Sequence, residues 1–99
     1  MRIMLSTLAC RELDDACAYY ETQFPGLGDI FRKAVEKTTR RIAAHPEAWS
    51  VETGEIRKCL VHRFPYKLLY SLEDDHIFII AVAHQHRRPG YWIDHMDND

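Results

Sequence analysis

The feature that most constrains the fold of this chain is a change in its hydrophobic period near Pro46. Before that residue, apolar side chains recur at helical spacing in two stretches separated by Pro25-Gly26. After it, they alternate as they do in strands. The change predicts an α+β fold, with two helices within Thr7–His45 and three strands within Ile56–Ala83.

The helical part is expected to form an antiparallel hairpin, because Pro25-Gly26 leaves only a short connection between its two stretches. Ser6 or Thr7 is suited to cap the first helix, since a side-chain hydroxyl there accepts a hydrogen bond from a free backbone N–H. The second helix is predicted to begin near Gly28-Asp29 and to end at His45-Pro46. Its predicted buried stripe consists of Leu27, Ile30, Phe31, Ala34, Val35, Thr38 and Ile42.

The strand part follows a segment, Ala48–Gly54, that is predicted to be a loop. Tyr66–Leu72 alternates cleanly, whereas Ile77–Ala83 is apolar at every position and indicates a strand covered on both faces. Arg2–Leu5 predicts a further strand at the start. The order β-α-α-β-β-β favours a helical hairpin on one face of a mostly antiparallel sheet, and a crossover could place the first strand parallel to a later one.

Composition bounds the function. A chain of 99 residues with 46% hydrophobic content is expected to form one domain spanning residues 1–99. Thirteen basic residues stand against 15 acidic ones, so no general attraction to nucleic acid follows, and we expect no sequence-specific DNA binding by this chain alone.

Three cysteines form neither an even disulfide set nor a metal-ligand spacing, which predicts free thiols in a reducing compartment. The sequence has no signal-peptide pattern, and its longest apolar run is too short to span a bilayer. A cytoplasmic protein without membrane contact is therefore expected. We expect no cofactor and no bound metal.

Four segments, in order along almost the whole chain, resemble toxins of the RelE/ParE superfamily. The two C-terminal segments are the more specific. The four segments are Glu12-Leu13 with Tyr19-Tyr20-Glu21, Pro25-Gly26-Leu27-Gly28 with Phe31, Arg63-Phe64-Pro65-Tyr66 with Tyr70, and Ala81-Val82-Ala83-His84 with Arg87-Arg88-Pro89-Gly90-Tyr91-Trp92.

This resemblance implies the toxin of a type II toxin–antitoxin module, of the kind associated with plasmid stabilisation, inhibited by a cognate antitoxin protein. RelE-like members are metal-independent endoribonucleases that cut mRNA on the ribosome. ParE-like members share the fold and poison DNA gyrase. A third possibility is a non-toxic orphan binding module on the same scaffold.

The candidate residues of a ribonuclease are Tyr91, Arg87, His86 and Lys67. The resemblance places Tyr91 and Lys67 at family positions and Arg87 two residues beyond one, whereas His84 or His86 could substitute as general acid or base because imidazole titrates near neutrality. The catalytic arginine of RelE-like members falls at Gln85 in an ungapped comparison, so this chain departs from the nuclease pattern and the ParE-like activity is favoured. A metal site at His84 and His86 lacks an evident third ligand.

Basic residues of the sheet and of the loop after the last strand are predicted to contact the target or the antitoxin. They are Arg57, Arg63, Lys67, His84, Arg87 and Arg88. We expect Arg87, Arg88 and Tyr91, with Lys67 beside them, to form the toxic face. An acidic antitoxin segment is expected to fold onto the sheet face that bears Lys67. Tyr91-Trp92 is also interpreted as an anchor that holds the C-terminal segment against the sheet.

Overall fold

A computed structural model, which describes residues 1–96, contains the predicted strand, two helices and three strands in the predicted order, with a short strand added before the last three strands and a short helix after them. No helix in that range has the length and apolar character needed to cross a membrane. The elements are β1 (Arg2–Leu5), α1 (Thr7–Gln23), α2 (Leu27–Ala44), β2 (Val51–Thr53), β3 (Ile56–Leu60), β4 (Tyr66–Leu72), β5 (His76–His84) and α3 (Ile93–Met96).

Side chains fix the helical hairpin at its start and at the turn between its two helices. Ser6 caps α1, because its Oγ accepts a hydrogen bond from the Ala9 N–H at 2.9 Å. At the other end, the Glu21 carboxylate accepts the N–H groups of Gly26 and Gly28 at 2.9 and 3.0 Å, which satisfies free donors at the start of α2. A Cβ at Gly28 would lie 2.5 Å from the Cys17 carbonyl oxygen. Glycine at this position therefore lets the two helices approach closely.

The five strands form one sheet in the order β1-β5-β4-β3-β2, in which β1 runs parallel to β5 and the other pairs are antiparallel. The crossover that the sequence allowed does place the first strand parallel to a later one. The prediction of a loop throughout Ala48–Gly54 is wrong, because Val51 pairs with Arg57 and Thr53 with Ile56. A strand of three residues at the sheet edge is too short to show a period of its own.

The core has two layers, one on each face of the sheet. The hairpin side includes Phe31, Ile42 and Tyr70, all fully buried. The other side includes Ile80 and is covered by Tyr91 and Trp92. Strand β5 contributes to both layers, so the prediction of a strand covered on both faces is confirmed.

The buried stripe of α2 is narrower than predicted. Phe31, Val35, Thr38 and Ile42 are buried, but the side chain of Ile30 is 56% exposed. At about 100° per residue, Ile30 lies roughly 100° around the helix from Phe31, outside the face that meets the sheet. The prediction that Ile30 is buried is therefore wrong, and its side chain lines a groove beside α2 instead.

Candidate functional site

The candidate site begins at the edge of β5. Strand β1 leaves the sheet at Ser6, whose N–H and Oγ donate hydrogen bonds to the carbonyls of Ile79 and Ile80 at 2.9 and 2.6 Å. Beyond that point, α1 lies along the edge that β1 no longer covers. The Glu12 Oε1 accepts the Val82 N–H at 2.9 Å, so a side chain takes the place of the missing strand.

The same carboxylate also holds the C-terminal segment. The Tyr91 hydroxyl donates to Glu12 Oε2 at 2.5 Å. Burial raises the pKa of Glu12 above its ordinary value, while the hydrogen bonds from Tyr91 and Val82 act in the opposite direction. We refer to Glu12, Val82 and Tyr91 as the Glu12 clamp. It joins α1, β5 and the C-terminal segment.

Tyr91 is an anchor in this structure. Its side chain is only 7% exposed and packs on the sheet together with Trp92, which confirms the interpretation of Tyr91-Trp92 as an anchor. Burial, with a further contribution from the hydrogen bond to Glu12, raises the pKa of the Tyr91 hydroxyl. Its proton is thus held by a partner within the protein.

Arg87 lies over the aromatic ring of this anchor. Its guanidinium carbon is 3.9 Å from the centre of the Tyr91 ring, within range of a cation–π interaction. Arg87 and Arg88 are both exposed. The chain turns back after them at Gly90, whose φ of 77° is readily adopted only by glycine, and the Tyr91 N–H donates to the Arg88 carbonyl at 3.2 Å. We call the exposed side chains of Arg87 and Arg88 the arginine pair.

A cavity of about 210 Å³ opens beside the clamp, between α1 and the end of β5. Its charged lining is mixed, because Arg87 faces the carboxylates of Glu12 and Asp15 there. His84 also lines it, with its ring 5.4 Å from that of Tyr66. The His84 Nδ1 accepts the His86 N–H at 3.2 Å.

Lys67 lies on the sheet face that the C-terminal segment partly covers, because it pairs with Ala83 across the strands. Its charge is nevertheless taken up within the protein. The Nζ lies 3.3 and 3.2 Å from the two carboxylate oxygens of Glu52, and its side chain is only 11% exposed. Strand β2, which lies within the segment predicted to be a loop, supplies this half-buried acidic partner.

The remaining predicted binding residues lie elsewhere. Arg57 is half-buried and donates to the Trp49 carbonyl at 2.6 Å. Arg63 lies in the exposed turn between β3 and β4, with a left-handed φ of 72°. The structure therefore brings His84, Arg87 and Arg88 together, uses Lys67 and Arg57 in internal contacts, and places Arg63 at the groove beside α2.

Comparison with known proteins identifies the family of this chain. The family model for the ParE toxin of the type II toxin–antitoxin system, parDE, matches residues 3–89. The chain belongs to the ParE toxin family. No curated protein matches it. Among solved structures, the chromosomal ParDE TA system from P. aeruginosa is similar with a TM-score of 0.75 and 14% identity, over 85% of this chain and 95% of that one. This similarity shows a shared fold, and the predicted superfamily and architecture are confirmed.

Within this ParE-family fold, two acidic residues with internal contacts at the site, Glu12 and Glu52, were not predicted from the sequence. Glu12 had a local signal, since it lies four residues from both Leu8 and Ala16, which are buried on the inner face of α1. Glu52 had none, because its strand has only three residues. No three His, Cys, Asp or Glu side chains within residues 1–96 come together as ligands of a metal ion would.

Proposed function

We propose that this ParE-family toxin inhibits growth by binding and poisoning DNA gyrase rather than by cutting RNA. The observation that carries the proposal is the state of Tyr91. Metal-independent RNA cleavage needs side chains that exchange protons with the reacting ribose and phosphate. The Tyr91 hydroxyl is buried, its pKa is raised, and its proton is donated to Glu12. A group held in this way is suited to anchoring the chain.

The charges around the Glu12 clamp also favour gyrase binding over RNA cleavage. A phosphate-binding site needs a cluster of free cations, but Lys67 is paired with Glu52 and Arg57 with a backbone carbonyl. In the cavity beside the clamp, Glu12 and Asp15 face Arg87. Those carboxylates repel a phosphate and leave the arginine pair as the outward-facing cationic feature of this region.

The arginine pair suits a protein target. Arginine is enriched among the residues that dominate protein–protein binding energy, and it is most effective when its geometry is fixed in advance. Here the Tyr91 ring, the Glu12 clamp and the Gly90 turn position the segment that carries both guanidiniums. We therefore assign target contact to Arg87 and Arg88, with His84 and His86 beside them.

We also propose that a cognate antitoxin neutralises the toxin. The similar solved structure is described as a ParDE toxin–antitoxin system. A partner that binds only the folded toxin raises its stability by mass action. Copurification with the antitoxin is expected to raise the melting temperature of this chain.

The proposal is tested with purified protein in a gyrase supercoiling and DNA-cleavage assay, with a cell-free translation assay run beside it. We expect inhibited supercoiling and accumulated cleaved DNA, with translation unaffected at the same concentration. Inhibited translation with cleaved mRNA and normal gyrase activity would instead establish the ribonuclease. Inhibition in neither assay, by protein shown to be folded, would contradict both toxic activities.

A further inference from the structure

The cavity beside the Glu12 clamp has features that the arginine pair does not use. It has a volume of about 210 Å³, lies between α1 and the end of β5, and includes Arg87 among its lining residues. Pockets that enclose a whole small molecule are usually larger, roughly 300–1,000 Å³. A cavity of this size, next to residues assigned to target contact, is suited to a single side chain of a protein partner.

The lining of this cavity is largely aromatic and apolar. Tyr19, Tyr66 and His84 contribute rings, and the ring centres of Tyr66 and His84 are 5.4 Å apart in an edge-on contact. Ala16 and Val82 supply a buried apolar lining. The side chain of Tyr19 is 57% exposed, so its ring is accessible to a partner. Such a lining accepts the hydrocarbon stem of a long side chain, and the face of a tyrosine ring attracts a cation.

The charges in the cavity leave one carboxylate without an opposite charge. Burial raises the pKa of Glu12, while the nearby charge of Arg87 acts in the opposite direction, so these two groups offset each other. Arg87 is also held over the Tyr91 ring at 3.9 Å. Asp15 is exposed, and its carboxylate forms no ion pair with any residue in the range 1–96. The surplus charge of the cavity is therefore negative and lies at Asp15.

We propose that this cavity receives an arginine side chain from the target of the toxin. The guanidinium lies between the Asp15 carboxylate and the rings of Tyr19 and Tyr66, and its aliphatic stem packs on Ala16 and Val82. Arginine suits this site better than lysine, because a planar guanidinium stacks on aromatic rings and pairs with a carboxylate through two parallel hydrogen bonds. The inference rests on the proposed function in one respect, which is that gyrase is the expected source of the arginine.

The cavity and the arginine pair together give the interface two neighbouring contacts of opposite sign. The arginine pair attracts an acidic group of the partner, whereas Asp15 attracts a basic one. Charges of opposite sign on one surface fix the register of a complex and exclude wrong partners. A uniformly acidic partner, such as a nucleic acid backbone, is repelled at Asp15, so the site selects a protein surface that presents both signs.

The first test measures binding of N-acetyl-arginine amide to the full chain by NMR, with N-acetyl-citrulline amide as a probe of the same shape without charge. We expect saturable shift changes at the residues that line the cavity, and at least about fivefold weaker binding of the citrulline probe. Asp15→Asn and Tyr19→Ala are each expected to weaken binding of the arginine probe about threefold. Asp14→Asn is the matched control, because this exposed neighbour on α1 pairs with Arg32 outside the cavity, and it is expected to change affinity less than about twofold.

The second test takes the same variants into the gyrase supercoiling assay. We expect Asp15→Asn combined with Tyr19→Ala to need roughly tenfold more protein for half-inhibition, with a melting temperature within a few degrees of that of the native chain because both side chains are exposed. Asp14→Asn is expected to inhibit like the native chain.

The proposal is overturned by equal binding of the arginine and citrulline probes, by equal losses for Asp15→Asn and Asp14→Asn, or by full gyrase inhibition with the double variant. Selective binding of the arginine probe by a native chain that does not inhibit gyrase would refute the proposed function and support the cavity as an arginine site. Failure of the cavity and failure of the toxic function therefore give different results.

Discussion

Tyr91→Phe is the substitution that reports most directly on the Glu12 clamp. It deletes the hydroxyl that donates to Glu12 at 2.5 Å and leaves the packing of the ring and its contact with Arg87 in place. A hydrogen bond to a charged group contributes about 1.5–3 kcal/mol to stability. For a domain of this size that loss corresponds to a fall of roughly 6–24 °C in melting temperature.

The stability loss caused by Tyr91→Phe depends on pH, because Glu12 can also become neutral by taking up a proton. Without Tyr91 as a donor the buried carboxylate is less stabilised, and its pKa, which burial already raises, increases further. Protonation of Glu12 then removes the unfavourable free energy of the buried charge. We therefore expect the difference in free energy of unfolding between Tyr91→Phe and the native chain to be largest at neutral pH and to shrink as pH falls.

The assay is urea denaturation of Tyr91→Phe, Glu12→Gln and the double variant, repeated at neutral and acidic pH. A coupling energy of about 1–2 kcal/mol is expected between the two sites at neutral pH, well above the roughly 0.3–0.5 kcal/mol found for independent positions. Tyr19→Phe, whose side chain is 57% exposed, is the matched control and is expected to stay within about 0.5 kcal/mol of the native chain. Additive effects at both pH values would refute the clamp.

Three other perturbations follow from the same contacts. Gly28→Ala sets a Cβ against the Cys17 carbonyl, and we expect a loss of about 1–3 kcal/mol in urea denaturation; an unchanged midpoint would show that the helices separate freely. Glu52→Gln leaves Lys67 enclosed without its counter-charge and is expected to cost about 1.5–3 kcal/mol, whereas equal stability would place that pair in solvent. Burial raises the folded-state pKa of Glu12 above its ordinary 4.5, so the contribution of this carboxyl to stability is greatest below pH 4.5 and is lost as pH rises toward the folded pKa. The stability of Glu12→Gln relative to the native chain should therefore increase over that pH range. A constant difference in stability between the two proteins would contradict the raised pKa.

Much of the fold could be predicted because it depends on local periodicity. The inner face of α2 and the apolar run of β5 are properties of neighbouring residues, and the structure buries both. Ile30 marks the limit of this reasoning. An apolar residue at the margin of a helical stripe is buried or exposed according to where the sheet ends, which spacing alone does not determine.

The site could be predicted only in part. Arg87 and Arg88 were expected to be exposed because they lie in the loop after a buried strand, and both are exposed. The role of Tyr91 depends on Glu12, which is 79 positions away in the chain, and the state of Lys67 depends on Glu52. Pairings between distant polar side chains leave no periodic signal, so the sequence did not predict the acidic partner that Tyr91 and Lys67 each have in the structure.

The central claim is that the arginine pair is the part of the toxin that acts on its target, and gyrase inhibition by Arg87→Ala/Arg88→Ala tests it most directly. The double variant is compared with the native chain and with Arg11→Ala/Arg40→Ala, which removes two exposed arginines outside the site. We expect Arg87→Ala/Arg88→Ala to lose gyrase inhibition at concentrations where the other two proteins inhibit fully. Its melting temperature should stay within a few degrees of that of the native chain, because exposed charges contribute little to stability. Full inhibition by Arg87→Ala/Arg88→Ala would contradict the account.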